Sequence, residues 1–259
     1  MNEPVLDMST DAAWEEWGRR DPYYGVITHE KFRRDAMDEE AKREFFGASE
    51  SHARHILEMI RKHLDPAFAP RRILDFGCGV GRVLVAFAAM AEEVVGADVS
   101  ASMLEEARKN CDERQLSNVK LLQSDDYLST VTDTFDLIHS FIVFQHIPVA
   151  RGRAILASLL RRLRPGGVAV IHVTYSKTRF AATHGIPPAE PLAPPSAARK
   201  PFEGADPEIQ MNSYNMNEIL FLMQSQRVQH CYMELTDHGG ELGAFLYFSG
   251  PGAAAASAT

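Results

Sequence analysis

The fold of this chain is decided by the stretch Ile73-Leu74-Asp75-Phe76-Gly77-Cys78-Gly79-Val80-Gly81-Arg82, which is followed by the amphipathic run 83–91. An apolar segment that ends in an acid and three spaced glycines predicts a strand, a tight turn and then a helix beginning near Val80. Glycine has no β-carbon, so such a turn adopts positive φ and brings its backbone close to a ligand. Unpaired N–H groups at the start of the helix favour an anionic group there. We therefore expect a ligand pocket at the C-terminal end of this strand.

The glycine spacing separates two chemistries. A dinucleotide fingerprint has G-x-G-x-x-G, whereas this turn has G-x-G-x-G and carries Asp75 two residues before its first glycine. A carboxylate is an unfavourable neighbour for a pyrophosphate and a favourable one for an ammonium group. The pattern D-x-G-C-G-x-G resembles motif I of the class I S-adenosylmethionine-dependent methyltransferases; the alternative is a glycine-rich turn with no ligand. The resemblance implies a Rossmann-like α/β fold, with a mostly parallel seven-stranded sheet and a C-terminal antiparallel hairpin.

The resemblance also implies S-adenosylmethionine as cofactor, S-adenosylhomocysteine as product, and a set of binding residues. Asp98 ends the next predicted strand, where the family binds both ribose hydroxyls, and Met103 either packs on adenine or fills the core. The acidic pair after the third strand matches the position that reads the adenine amino group, with Asp125 favoured over Asp126 and solvated turn acids as the alternative. The expected cofactor-binding residues are Asp75, Gly77, Cys78, Gly79, Gly81, Arg82, Asp98, Val99, Met103, Asp125, Asp126, Tyr127, Ser140 and Phe141.

Composition narrows the class of protein. The 259 residues are 45% hydrophobic and 24% charged, as in a globular protein with a full core, and the formal net charge is −8. That charge argues against nucleic acid or an anionic membrane as the main partner. The three cysteines form no C-x-x-C pair, so we expect neither a zinc site nor a disulfide framework, which fits a reducing cytoplasm. No metal is expected. The N-terminus has no signal-peptide pattern and no run reaches membrane-spanning length.

Three regions are predicted along the chain. Residues 1–50 form a helical cap, with helices expected over 12–17 and 31–46. Residues 51–250 form the methyltransferase domain, which begins with a helix over 51–63 and contains a proline-rich insertion, 176–212, expected to be a substrate lid. Residues 251–259 form a disordered tail. Trp17, Tyr23 and Tyr24, near a break at Asp21-Pro22, either pack the cap onto the sheet or line the substrate site.

Periodicity places the remaining elements. Strands are predicted over 72–76, 93–97, 119–123, 135–140, 168–174, 228–235 and 243–249, the last two joined as a hairpin through 236–240. Helices are predicted over 101–111, with Ser100 as N-cap, and over 149–163 and 215–226. The sequence Leu163-Arg164-Pro165-Gly166-Gly167 predicts a turn before the fifth strand and is another recurrent feature of the family.

Methyl transfer needs the acceptor, the methyl carbon and the sulfur in line, and a hydroxyl acceptor also needs a base with a pKa near neutrality. His146, just after the fourth strand, is the leading candidate for base or orienting group, and a packing role is the alternative. Tyr175, at the ligand end of the fifth strand, is the second catalytic candidate, and Tyr175 and Tyr214 are candidates for the acceptor pocket. His172 is either in the site or a satisfied core histidine, and the loop residues left open are His184, Asp237 and His238.

The sequence thus predicts methyl transfer to a small-molecule acceptor, with a hydroxyl oxygen favoured. The alternatives are methylation of a small amine and a catalytically silent module that binds S-adenosylmethionine. A nicotinamide oxidoreductase fails on the glycine spacing. A nucleic-acid methyltransferase is disfavoured by net charge and by the absence of N-P-P-Y after the fourth strand. The acceptor itself and the oligomeric state are left open.

Overall fold

A single seven-stranded sheet organises the chain in the computed structural model, which describes residues 9–180 and 206–250. The strand order is β3-β2-β1-β4-β5-β7-β6, in which only β7 runs antiparallel to its neighbours. This order and the terminal hairpin confirm the predicted Rossmann-like methyltransferase fold. The strands are β1 (Arg72–Phe76), β2 (Glu93–Asp98), β3 (Val119–Gln123), β4 (Phe135–Ser140), β5 (Leu163–Lys177), β6 (Cys231–Asp237) and β7 (Glu241–Ser249).

The central strands are apolar on both faces because helices cover both sides of the sheet. Leu74 of β1 pairs with Val95 of β2 and with Ile138 of β4, and all three side chains are buried. Strands buried on both faces read as continuous apolar runs, which is why the sequence pattern located them. The helices are α1 (Ser9–Arg20), α2 (Pro22–Val26), α3 (Glu39–His63), α4 (Leu84–Ala88), α5 (Ala101–Glu113), α6 (Val149–Leu160) and α7 (Met216–Ser225).

Each face of the sheet has its own core. Helices α6 and α7 pack on one face, where Phe135, Leu159 and Ile219 share a cluster. Helices α3 and α4 pack on the other, where Ile56 and Phe87 share a second cluster. A third cluster joins α1, α2 and the first half of α3 above the C-terminal ends of β1 and β2. The N-terminal helices therefore lie where a parallel sheet presents its ligand site.

Two helices differ from the sequence predictions. Helix α3 is continuous through Gly47, where we predicted separate helices over 31–46 and 51–63, so the predicted boundary at residue 50 falls inside it. Glycine costs a helix about 1 kcal/mol, and burial of Phe45 and Phe46 before Gly47 and of Ile56 after it offsets that cost. Helix α4 begins at Leu84 rather than near Val80 because the backbone at Gly81 has φ +82°, which a helix does not accept.

The segment Leu163–Gly167 also differs from its prediction. It forms the first part of β5 rather than a turn before that strand, with a register shift between the pairs Phe135–Leu163 and Leu137–Val168. Gly166 has φ +79° at this irregularity. Most of the predicted lid, 181–205, and the predicted tail, 251–259, lie outside the described residues. Within the parts of the chain that are described, no helix has the length and apolar character to cross a membrane.

Gly77→Ala tests the packing of the bend after β1. Gly77 has φ +72°, and a β-carbon there would lie 2.4 and 2.6 Å from the two methyl groups of Val143. Gly166→Ala is the matched control, because it has a similar φ and nothing within 4 Å. We expect the control to lose about 1–2 kcal/mol of unfolding free energy from backbone strain, and Gly77→Ala to lose about 1–3 kcal/mol more from overpacking, measured by urea denaturation. Equal losses would contradict this packing.

Candidate active site

A cavity opens at the C-terminal ends of β1, β2 and β4, with α1 and α2 forming its outer wall. Its empty volume, including the open mouth, is about 1130 Å³. Twelve residues expected at the site from sequence line it: Asp75, Gly77, Cys78, Gly79, Arg82, Asp98, Val99, Met103, Asp125, Asp126, Phe141 and His146. The structure therefore brings together most of the residues that the sequence singled out.

The bend after β1 forms the floor of the cavity. Gly77, Gly79 and Gly81 have φ of +72°, +52° and +82°, so all three use the left-handed region as predicted. The Gly77 N–H donates to the Ala97 carbonyl at 2.7 Å, which ties the bend to β2. A β-carbon on Gly79 would lie 3.1 Å from Val26 of α2, so the backbone there fits closely beneath the outer wall. Arg82 follows the bend and donates from Nε to the Phe45 carbonyl at 3.1 Å.

Asp98 holds this bend against the start of α5. Its two carboxylate oxygens accept the N–H of Gly79 at 2.8 Å and the N–H of Ser100 at 2.9 Å. Burial raises the pKa of Asp98 to about 6, while these backbone hydrogen bonds act in the opposite direction. Ser100 caps α5 by accepting the N–H of Met103 at 3.1 Å, as predicted. Each carboxylate oxygen of Asp98 has a second acceptor position for a ligand hydroxyl.

Asp75, at the end of β1, is held by a histidine that the sequence analysis did not single out. His139 Nδ1 lies 2.8 Å from Asp75 Oδ1, and both side chains are buried. On its other side, His139 Nε2 lies 3.0 Å from His52 Nε2 of α3. The three residues form a continuous hydrogen-bonded chain from the cavity floor to α3.

A buried ion cluster closes one side of the cavity. Arg151 of α6 donates to both oxygens of Asp126, at 2.8 and 2.7 Å, and from Nη2 to Asp11 of α1, at 3.0 and 2.9 Å. These carboxylates, with Asp126 the larger contributor, raise the pKa of Arg151. Asp125 instead accepts the N–H groups of Tyr127 and Ser129, which lower its pKa and shape the turn after β3.

His146 lies in the cavity wall beneath α1. Its Nδ1 lies 2.8 Å from the Gln210 carbonyl, its backbone oxygen accepts the Thr10 hydroxyl at 2.7 Å, and Trp14 packs edge-on at 5.0 Å between ring centroids. A carbonyl only accepts, so Nδ1 carries the proton and neutral His146 has its lone pair on Nε2. Gln145 Nε2 lies 3.4 Å from that nitrogen.

The loop between β4 and His146 carries backbone strain. Ile142 has φ +56°, which is unfavourable for a β-branched residue, and it lines the cavity. Such a conformation costs about 1–3 kcal/mol and persists only where the surroundings determine it. Here the neighbouring Val143 side chain fills the space above Gly77. The strain lies in a segment that forms the wall of the cavity.

Eight other residues expected at the site lie outside the cavity lining. The buried aromatic residues of the cap serve packing rather than the substrate site. The Tyr23 hydroxyl lies 2.9 Å from Glu106 Oε1 and 3.0 Å from Asn110 Oδ1, and Tyr24 lies beneath the Arg33 guanidinium at 3.4 Å. Tyr214 is also buried and donates to the Ile147 carbonyl at 2.9 Å. The eight are Gly81, Trp17, Tyr23, Tyr24, Tyr127, Ser140, Tyr175 and Tyr214.

The structure also decides the roles of the histidines that the sequence left open. His172 is a buried core histidine whose Nε2 lies 2.9 Å from the Thr236 hydroxyl. His238 packs against His172 and Phe141, with ring centroids 5.2 and 5.8 Å away. His184 lies outside the described residues. Among the described side chains, no group of three or more His, Cys, Asp or Glu is arranged to hold a metal ion.

Comparison with known proteins shows which part of the chain has known relatives. Residues 73–167 match the family model described as a methyltransferase domain. This stretch, less than half of the chain, is therefore similar to methyltransferase domains. The fold is shared with magnesium protoporphyrin IX methyltransferase from Synechocystis PCC 6803, solved with bound SAH, at 14% identity and a TM-score of 0.61 over 95% of this chain and 98% of that one. The resemblance seen in the sequence is thereby confirmed.

Two curated relatives match part of the chain. Ubiquinone biosynthesis O-methyltransferase of Thiobacillus denitrificans is 30% identical over 100 residues, which are 38% of this chain and 42% of that protein. Malonyl-[acyl-carrier protein] O-methyltransferase of Enterobacter lignolyticus is 32% identical over 139 residues, which are 51% and 53% of the two chains. The chain spans about half or less of the length of these relatives.

The methyltransferase domain contains functional candidates that sequence reasoning missed. His139 and Arg151 lie in segments read only as an apolar strand and an amphipathic helix. Both residues could have been found in the sequence, because each places a charged or titratable side chain where the hydrophobic pattern expects an apolar one. Trp14 and Asp11 belong to the predicted cap and line the cavity. The sequence could not identify them because it does not show which face of α1 is turned towards the cavity.

Arg151→Met tests the ion cluster that joins the cap to the methyltransferase domain. Removing the buried guanidinium leaves two carboxylates unpaired, and we expect a loss of about 3–5 kcal/mol in unfolding free energy by urea denaturation. Arg153→Met is the matched control, because Arg153 of the same helix pairs with Glu218 at an exposed site. That control is expected to lose less than about 1 kcal/mol. Similar losses in the two variants would refute a stabilising role for the cluster.

The buried histidines predict acid sensitivity of the methyltransferase domain. Burial lowers the pKa of His52 and of His172 to about 3, against a reference value of 6.5. The unfolded chain therefore binds more protons below pH 6.5, and stability falls as the pH drops from 6.5. Each histidine contributes a loss of up to about 2 kcal/mol at pH 5, and the raised pKa of Asp98 offsets part of it.

Urea denaturation at pH 7.5 and pH 5.0 measures this loss. His172→Asn keeps a polar partner for Thr236 without the titrating ring, and it should show a smaller difference between the two pH values. Equal stability of the unmodified protein at both pH values would contradict the expectation.

Proposed function

We propose that this protein transfers a methyl group from S-adenosylmethionine to a hydroxyl oxygen of a largely apolar small molecule. One observation carries the proposal: Asp75, the left-handed glycine bend and Asp98 meet in one cavity at the carboxyl end of a class I methyltransferase sheet. When bound, S-adenosylmethionine supplies an electrophilic methyl group on a positively charged sulfur.

The residues present fit this cofactor. Asp75 lines the cavity, and its Oδ2 has no hydrogen-bond partner among the residues that the structure describes, so it is available to an ammonium group. The glycine bend leaves room for backbone contact that a β-carbon would fill. Asp98 has acceptor capacity for ribose hydroxyls, and Met103 and Asp125 lie where the family resemblance assigns adenine recognition.

The charge of the cavity supports a cationic ligand. Arg82 and Arg151 are the arginines of its lining, and the latter is already paired with two carboxylates. An excess of carboxylates in a partly enclosed cavity concentrates cations and repels anions such as a pyrophosphate. The acidic lining residues are Asp11, Asp75, Asp98, Asp125 and Asp126.

The acceptor is inferred from the apolar part of the cavity lining. Trp14, Val143, Ile147 and Ile155 belong to it, as expected for an aromatic or lipid-like acceptor. His146 also lines the cavity: its Nδ1 faces the Gln210 carbonyl, so the lone pair of the neutral ring is on Nε2, where a hydroxyl acceptor would take the place of the Gln145 amide. A neutral imidazole held in this tautomer can take the proton of a hydroxyl acceptor as the oxygen attacks.

A small amine is the second candidate acceptor. The excess of carboxylates favours binding of a positively charged amine, and an amine nitrogen that has lost its proton attacks without further activation by His146. In both cases α1, through Thr10, Asp11 and Trp14, closes the cavity and limits access of water to the reacting atoms.

His146→Ala tests the proposed oxygen chemistry. With methyl-labelled S-adenosylmethionine and a panel of phenols, alcohols, amines and carboxylic acids, we expect label transfer to a hydroxyl compound. The variant should lower kcat by about 10²–10⁴-fold because it removes the base, while cofactor affinity by calorimetry stays unchanged. His63→Ala is the control, because His63 is exposed and stacks on Tyr232 away from the cavity.

Other outcomes of the same assay separate the alternatives. Transfer to amines alone would overturn the oxygen assignment and support the second candidate. Cofactor binding without transfer to any acceptor class would instead support a silent binding module. No measurable binding of S-adenosylmethionine would refute the proposal at its first step.

A further inference from the structure

The chain Asp75–His139–His52 is a buried polar arrangement in an otherwise apolar part of the sheet. His139 is 0% exposed and Asp75 is 4% exposed, so neither is a solvated surface group. Phe87 packs edge-on against His139 at 5.1 Å, and His52 stacks on Phe141 at 4.7 Å between centroids. A buried polar group is costly unless its partners are in place, and here each member of the chain has one.

The contacts fix where the proton of His139 lies. A carboxylate oxygen only accepts, so His139 donates its Nδ1–H to Asp75 Oδ1. The two Nε2 atoms lie 3.0 Å apart. Because the proton of the neutral His139 ring is on Nδ1, its Nε2 accepts the Nε2–H of His52. His52 thus holds the ring of His139 in the orientation that serves the carboxylate.

This arrangement leaves one oxygen of Asp75 for the cavity. Oδ1 is engaged by His139, and the donor ring is itself held by His52 and Phe87, which restricts rotation of the carboxylate. Oδ2 has no partner among the residues that the structure describes, and Asp75 lines the cavity. A carboxylate oriented in advance binds a charged donor without first losing its own freedom.

We propose that His139 is a positioning residue that orients the Asp75 carboxylate to bind the ammonium group of the cofactor, and that His52 holds His139 in place. The inference rests on the proposed function, because it names residues that act through a carboxylate of the proposed cofactor site. It makes His139 a determinant of affinity for the amino-acid part of the ligand and leaves the nucleoside part unaffected.

Binding of two ligands distinguishes the amino-acid part of the cofactor from the nucleoside part. S-adenosylhomocysteine carries the ammonium group, and 5′-methylthioadenosine is the corresponding thioether nucleoside without the amino-acid part. By calorimetry, His139→Leu should weaken S-adenosylhomocysteine binding about tenfold or more, the range for loss of a hydrogen bond to a charged group. Its affinity for 5′-methylthioadenosine should change by less than about twofold. His139→Asn places an amide N–H near the position of Nδ1–H and should recover most of the lost affinity.

Further variants keep the test decisive. His172→Leu changes another buried histidine outside the chain and should leave the ratio of the two affinities unchanged. If His139→Leu does not fold, His52→Phe keeps the stack on Phe141 but removes the partner of His139 Nε2, and it should weaken S-adenosylhomocysteine selectively.

The contrary results are distinct. Equal weakening of both ligands in His139→Leu, or in His52→Phe where that variant is needed, would assign the histidines a structural role and overturn the positioning role. Failure of a folded His139→Asn to recover affinity would also overturn it. If the unmodified protein binds neither ligand, the proposed function fails and this inference fails with it.

Discussion

The site depends on one buried carboxylate that joins two strand ends. Asp98 accepts the N–H of Gly79 from the bend after β1 and the N–H of Ser100 from the start of α5. These bonds stabilise the left-handed backbone of the bend together with the Gly77 N–H bond to the Ala97 carbonyl. Because burial raises the pKa of Asp98 to about 6, the ionised form depends on these donors near neutral pH. The floor of the cavity and the cap of α5 therefore share a single charge.

The parts of the fold that the sequence predicted are those determined locally. Apolar runs ended by an acid located β1 and β2, and turn residues between two alternating segments located the β6–β7 hairpin. Ser100 was recognisable as an N-cap because capping needs only the residues that follow it. The glycine spacing predicted positive φ at the bend for the same reason. These features need no knowledge of distant residues.

The remaining features depend on contacts between distant segments. His139 and Asp75 are paired across two neighbouring strands, and Arg151 meets Asp11 from the far end of the chain. No local pattern indicates such pairs. The role of Tyr23 also depends on distant contacts. An aromatic residue near a proline is compatible with either a lid or a core, and its contacts with Glu106 and Asn110 place it in the core. The persistence of α3 through Gly47 likewise results from tertiary burial.

The length of α3 has a mechanical consequence. Its 25 residues form a rod of roughly 37 Å, whose first half packs on the cap cluster and whose second half packs on the sheet. Bending such a rod breaks backbone hydrogen bonds, so its two ends keep a constant separation. The cap cluster near Phe45 and the sheet near Ile56 are thus joined by one continuous helix. The outer wall formed by α1 is attached separately, through Asp11 to Arg151 of α6, Thr10 to the His146 carbonyl and Glu15 to Ser102 of α5.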